Sequence, residues 1–241
     1  MQIENSVALV TGANRGVGRQ YVAQLIEHGA DKVYAAARNI DSLSDTVALA
    51  PERVVPLALD VTDTAMIEAA ARTASDVTLL INNAGSLTFG GALDVSDAGL
   101  AQDMAVNNDG LRDMTRAFTP VIEANGGGAV VNMLTLLSFV SAPGFAGYNA
   151  SKAAAWSMAM SLRAYLRPKG IRVINAFPAG IDTDMRAGVD APKDSPAAVV
   201  SDVLAAVVAD QEDVYPASAS DVFDAWRADQ KSVETAFAEM M

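Results

Sequence analysis

The sequence predicts an α/β fold: one doubly wound parallel sheet of six to seven strands with helices on both faces. Three observations predict it. Short apolar, β-branched runs alternate with longer segments of helical period, the pattern of strands buried on both faces and joined by crossover helices. The first such run, Val7-Ala-Leu-Val10, leads straight into a glycine cluster and then a helix. The 241 residues, 51% hydrophobic and 19% charged, suit one large, tightly packed domain spanning 1–241.

Strands are expected at about Val7–Val10, Lys32–Ala37, Val54–Leu59, Leu79–Asn82, Ala129–Met133 and Arg172–Phe177, with a short last one near Val214–Tyr215. Helices are expected to begin near Gly16, Ser42, Thr64, Ser96, Tyr148 and Pro196. The first of these ends at His28-Gly29, where glycine terminates the helix and a cation suits its dipole. Ser195-Pro196 reads as an N-cap and first helical residue. Before it, the stretch from Arg186 to Ser195 is rich in Gly, Pro and Asp, and a substrate loop is expected at about 184–195. The tail from Ala217 reads as helix, with Phe223, Trp226, Val233 and Phe237 set to pack on the body or on another subunit. Right-handed crossovers then put ligand sites at the carboxyl ends of the strands.

Composition narrows the chemistry. The absence of cysteine excludes disulfides, thiol catalysis and thiolate metal sites, and a single histidine builds neither a zinc cluster nor a Ser-His-Asp triad. No metal site is expected. The net charge of −12 opposes nucleic-acid backbones and anionic membranes, and no apolar run reaches the roughly 18 residues of a membrane span. The expectation is a cytoplasmic protein with a small-molecule partner.

Thr11-Gly-Ala-Asn-Arg-Gly-Val-Gly18 lies between the first strand and the first helix. Three glycines, Gly12, Gly16 and Gly18, let the backbone approach a pyrophosphate, with Asn14, Arg15 and Val17 in the same turn, and the helix N-terminus offers N–H groups and positive potential. At the end of the second strand, where NAD-binding sites carry an acid for the ribose 2′-hydroxyl, the chain has Ala35-Ala-Ala-Arg38. Arg38 and Arg15 are placed to grip a 2′-phosphate, so NADP (NADPH) is the expected cofactor.

Tyr148 and Lys152, four apart on a helix, lie on one face, so the ammonium reaches the neighbourhood of the phenol. A nearby positive charge favours phenolate, which suits a tyrosine to general acid–base work. Alone, this pattern is usually a half-buried ring beside a solvated charge. The rest of the chain raises its weight.

Along nearly its whole length the chain resembles the short-chain dehydrogenases/reductases. The matching stations are Thr11–Gly18, Asp60-Val61, Asn82-Asn-Ala-Gly85, Asn107, Val131-Asn132, Tyr148-x-x-x-Lys152 and Pro178 through Thr183. The resemblance implies a Rossmann sheet in which Asp60, with Val61, meets the adenine and Asn83-Ala84-Gly85 lies along the cofactor. It implies that Asn107 anchors a proton-relay water at a helix irregularity, and that Lys152 bonds the nicotinamide ribose and lowers the pKa of Tyr148. Ile181 and Thr183, beyond Pro178, would hold the carboxamide. Where the family usually has a serine, about thirteen residues before the tyrosine, this chain has Thr135; Ser138 is the nearby alternative. Thr135 is preferred because Val131-Asn-Met-Leu-Thr135 matches the strand ending that delivers this hydroxyl. Ala179 stands where Pro-Gly is common. Helices at about Ser96–Glu123 and Tyr148–Arg167 would pair across a two-fold axis, giving a homodimer or homotetramer.

Phe89, Leu136, Leu137, Phe145, Met185 and Val189 are expected to face the substrate, a set suited to a hydrophobic ketone, aldehyde or secondary alcohol. The leading reading is an NADP-dependent oxidoreductase transferring hydride between the nicotinamide and a carbonyl or alcohol. The alternative is an NADP-sensing binding protein with the same fold and little turnover. Retention of Tyr148 and Lys152 opposes it, and Thr135 in the serine position favours it slightly. An epimerase or dehydratase would carry a different glycine turn and a longer C-terminal substrate domain.

Overall fold

In a computed structural model, which describes residues 1–186 and 192–239, seven parallel strands form one sheet. They are β1 (Val7–Thr11), β2 (Lys32–Ala37), β3 (Val54–Ala58), β4 (Leu79–Asn82), β5 (Gly128–Met133), β6 (Ile171–Ala176) and β7 (Asp213–Val214), in the order β3-β2-β1-β4-β5-β6-β7. The order reverses between β1 and β4, which opens a crevice at their carboxyl ends. Every expected strand is present, with ends shifted by one residue at most.

Side chains alternate across the sheet and so feed two cores. On one face Ala8, Val10, Val33, Ala35, Ile81 and Val131 pack against α1 (Gly16–Glu27) through Tyr21, Val22 and Leu25, and against the valines of the Pro196–Ala209 helix. On the other, Leu9, Tyr34, Ala36, Leu80, Val130 and Val173 pack against the helices Thr64–Thr73 and Leu111–Ala124. Phe118 and Ile122 are fully buried there. Truncating Phe118 to alanine would cost about 3–5 kcal/mol.

The remaining helices follow the expected order, with local departures. After α1 come α2 (Ser44–Val47), α3 (Thr64–Thr73), α4 (Asp97–Met104), α5 (Leu111–Ala124), α6 (Ala146–Leu166), α7 (Pro196–Ala209), α8 (Ala219–Ala228) and α9 (Gln230–Ala238). The helix expected near Ser42 is a 3-10 turn at Ile40–Leu43 running into the short α2. A π-turn at Ala105–Gly110 joins α4 to α5 and contains Asn107. α6 starts two residues before Tyr148. Ser195 caps α7, accepting from Ala198 N at 3.1 Å, with Pro196 first in the helix. The tail splits at Asp229, which caps α9. Phe223 and Trp226 of α8 lie 5.4 and 5.2 Å from the Phe139 ring, so these tail aromatics do pack on the body.

A row of amides crosses the sheet just below the crevice. Asn82 donates to Asn132 at 3.0 Å and Asn132 donates to Asn175 at 3.0 Å, each pair in direct register on neighbouring strands. A one-residue slip would bury these amides unpaired, so the row fixes the alignment of the strand ends that carry the site.

Candidate active site

The glycine turn leaves the N-terminus of α1 open. Gly12 and Gly16 have φ of +65° and +51°, a region that costs a side chain. A Cβ on Gly18 would lie 2.1 Å from the carbonyl oxygen of Gly12, so α1 packs against the turn only with glycine there. Arg15 is the N-cap residue and supplies no side-chain hydrogen bond to the helix. An uncapped helix end behind a turn kept narrow by three glycines fits a dinucleotide pyrophosphate. Asn14 and Val17 are half-buried in the same turn.

Asn83 fastens this turn to β4. Its Nδ2 donates to the carbonyls of Thr11 at 2.8 Å and Gly12 at 3.3 Å, while Thr11 Oγ1 accepts from Asn83 N and Ala84 N, each at 2.9 Å. The Asn83 side chain therefore shapes the turn, and Thr11 joins the site as the hydroxyl that closes it. Asp60, after β3, accepts from Thr62 N at 2.9 Å and Thr62 Oγ1 at 2.7 Å, and Val61 beside it is buried against Gly110 of the π-turn. Arg38 is exposed after β2 and makes no ion pair among the described residues. Arg15 pairs with Asp184 at 3.0 Å across the crevice. The Thr183 methyl lies 3.3 Å from where a Cβ on Gly16 would sit, so Thr183 closes over the turn.

Lys152 is 4% exposed, and its Nζ donates to the carbonyl of Met133, the last residue of β5, at 2.7 Å. The same nitrogen lies 5.7 Å from the centroid of the half-buried Tyr148 ring. Burial pulls the ammonium down to about 8, and the charge of Asp103 opposes that fall. A small cavity lined by Thr11, Asn82, Asn107, Met133 and Lys152 has room for about one water molecule.

Asn107 stands opposite. In the π-turn its Oδ1 accepts from Ser86 N at 3.0 Å, and its Nδ2 donates to Ser86 O at 2.8 Å and to Ser151 Oγ at 2.9 Å. Ser151 in turn donates to the carbonyl of Tyr148 at 2.8 Å. The π-turn thus connects the segment after β4, where Gly85 lies against Asn107, to the helix that bears Tyr148. Ser86 and Ser151 escaped the sequence reading because lone serines carry no periodic signal.

Thr135 caps a 3-10 turn, Leu136–Ser138, directly after β5. Its Oγ1 accepts from Leu137 N and donates to Pro178 O, both at 3.3 Å, long for hydrogen bonds and so readily exchanged. The Ser138 Oγ is shielded from solvent and has no hydrogen-bond partner among the described residues. Pro178 also accepts from Leu136 N at 3.0 Å, and Ile181 bridges to Asp194, closing the neck of the loop between them.

The apolar wall is only partly as expected. Phe89 is 56% exposed and pairs with Phe145 at 5.4 Å between ring centroids, and Met185 is also exposed. Leu137 is half-buried. Leu136 instead points into the core with Leu111, Leu134 and Phe177, because the 3-10 turn rotates it away from the crevice. Val189, and the middle of the loop expected at 184–195, lie outside the described residues.

Comparisons with known proteins agree with this fold. Residues 6–194 match the family described as short chain dehydrogenase. The chain is 35% identical over 195 residues to a galactitol 2-dehydrogenase (L-tagatose-forming) of Cereibacter sphaeroides, covering 76% of this chain and 74% of that one. It is 33% identical to an NADPH-dependent 1-acyldihydroxyacetone phosphate reductase of Saccharomyces cerevisiae, covering 74% of this chain and 62% of the other. Among solved structures, a short chain dehydrogenase from Burkholderia cenocepacia J2315 in complex with NADP superposes with a TM-score of 0.91 at 41% identity, covering 98% of this chain and 99% of that one. The chain belongs to the short-chain dehydrogenase/reductase family, oxidoreductases that act on alcohol or carbonyl groups with a nicotinamide cofactor.

Proposed function

We propose that the protein is an NADP(H)-dependent reductase of hydrophobic ketones or aldehydes, working in reverse on the secondary alcohols. The observation that carries this is the buried Lys152, fixed by Met133 O and set 5.7 Å from the Tyr148 ring. A bound nicotinamide supplies hydride to the carbonyl carbon. The chain's own residues handle the proton and the developing charge. Tyr148 gives its phenolic proton to the carbonyl oxygen, and the Lys152 charge stabilises the phenolate left behind. The ammonium carries three donors, so the bond to Met133 leaves capacity for a ribose diol. Asn107 would hold a water in the adjoining cavity through which Tyr148 is reprotonated.

Thr135 is the group that polarises the carbonyl. Its present bonds are weak and exchangeable, whereas the Ser138 oxygen faces no open space. Asp60 and Val61 line the adenine side, Asn83 to Gly85 lie along the cofactor, and Pro178, Ile181 and Thr183 line the nicotinamide side. Preference for NADP rests on Arg15 and Arg38 flanking a turn with no carboxylate at the end of β2, and the NADP complex of the Burkholderia relative supports it. The relatives' names do not agree on a substrate, so the substrate class rests on Phe89, Phe145 and Met185. Assembly into a homodimer or homotetramer is supported by the exposed Met160 and Tyr165 on α6.

The test is a titration of NADPH and NADH into the purified protein, followed by hydrophobic ketones and aldehydes monitored at the nicotinamide absorbance. Turnover with NADPH, abolished by Tyr148→Phe, is expected. Tight NADPH binding with no turnover across the panel would instead favour a cofactor-sensing protein.

A further inference from the structure

Asp103 is a carboxylate at 0% exposure, in the last turn of α4 and one turn ahead of Asn107. Lone charges are almost never buried this fully without partners. Its Oδ1 accepts from Ser86 Oγ at 2.8 Å and from Thr88 Oγ1 at 3.3 Å, and its Oδ2 accepts from Thr88 N at 3.1 Å. On the other side it abuts the first turn of α6, where a Cβ on Gly147 would lie 3.3 Å from Oδ2. The carboxylate is therefore wedged between the segment that leads to Phe89 and the helix that carries Tyr148 and Lys152.

We propose that Asp103 is the buried counter-charge of this active site, a positioning residue that stands one helical turn ahead of Asn107 and fastens Ser86 and Thr88 against the helix carrying Tyr148 and Lys152. The inference rests on the reductase reading of the site. None of the three donors to the carboxylate carries a charge, so they solvate the anion without neutralising it. Among the described residues, the charge that acts on Lys152 is Asp103 of α4, joined to the cavity wall through Ser86 and Asn107, and the Tyr148 ring of its own helix lies 5.7 Å from the ammonium. The other elements around the ammonium, β1, β4, β5 and the π-turn, present Thr11, Asn82, Met133 and Asn107, all uncharged. Burial drives the proton off Lys152 and Asp103 is the group that opposes it.

The test reads cofactor binding, not turnover. NADPH affinity is measured by fluorescence from about pH 6.5 to 10 in the wild-type protein and in Asp103→Asn. Wild-type affinity is expected to weaken as pH passes through the ionisation of Lys152, and the same decline in Asp103→Asn is expected about one pH unit lower. Ser86→Ala, which removes a hydrogen bond but keeps the charge, is expected to leave the midpoint in place. Coincident midpoints for wild type and Asp103→Asn would overturn the proposal, as would an equal shift in Ser86→Ala. If Asp103→Asn does not fold, Asp103→Ser, small enough to admit a water, serves as the neutral variant. Binding without turnover in the wild type would sink the reductase reading while leaving this comparison intact.

Discussion

Lys152 donates to the carbonyl oxygen of Met133 at 2.7 Å, which ties α6 to the end of β5. The bond orients the ammonium but does not recover the hydration lost on burial. Lys152 is therefore a group retained at a cost to stability.

Lys152→Met should lower kcat/KM by about 100-fold or more while leaving the protein as stable or more so. The difference in stability should depend on pH. The native ammonium ionises at about 8, against an ordinary value of 10.5. Below pH 8 both native and unfolded chains hold the proton, and the native state bears the full burial cost of roughly 3 kcal/mol. Between about 8 and 10.5 the unfolded chain keeps a proton that the native chain has lost, so wild-type stability gains relative to the variant as pH rises. Above about pH 10 the phenols of Tyr21 and Tyr34, pushed up by burial, act on both proteins alike. Urea unfolding at about pH 7, 8.5 and 9.5 measures the gap. A gap that does not narrow with pH would mean that burial does not lower the Lys152 ammonium below its ordinary value.

Much of this was legible in the sequence, and the limits have physical reasons. Strand ends fell within one residue because each strand is a short β-branched run bounded by polar or glycine positions. The glycine turn and the Tyr148–Lys152 pair were legible because their spacing reflects local backbone geometry, whereas Asn107 was reached only through the family resemblance. Asp103 was not, since an aspartate in Ala101-Gln-Asp103 reads as a solvated helix charge. Its burial depends on a loop folding back over α4, which no local pattern encodes. Leu136 was misplaced for a related reason. The strand pattern sets its direction outward, but the strand ends at Met133 and the 3-10 turn capped by Thr135 turns it inward. Arg15 was expected as a phosphate ligand; its pairing with Asp184, 169 positions away, was not legible.

The two hydroxyls near the carbonyl site separate by mutation. Thr135→Ala should lower kcat by about 10- to 100-fold with little change in NADPH affinity, because its hydroxyl acts on the substrate oxygen. Ser138→Ala removes a buried hydroxyl with no hydrogen-bond partner among the described residues, so it should be neutral or slightly stabilising and leave kcat within about twofold. Steady-state kinetics with one good substrate decide the matter. An equal or larger loss of kcat at Ser138 would transfer the role to that residue.

Arg15 and Asp184 form an exposed pair, with side chains 67% and 73% accessible, and such pairs contribute about 0.2–1 kcal/mol. The 2′-phosphate of NADPH would compete with Asp184 for the same guanidinium, so the pair opposes NADPH binding slightly and is neutral towards NADH. Asp184→Asn should then tighten NADPH binding by up to about fivefold and leave NADH unchanged. Arg15→Ala should weaken NADPH by about tenfold, again with little effect on NADH, while Arg38 retains part of the preference. Both effects should shrink as salt is raised, since the groups are exposed. Fluorescence titration of each cofactor at low and high salt makes the measurement. Weaker NADPH binding in Asp184→Asn would mean that Asp184 orients Arg15 towards the phosphate instead of competing for it.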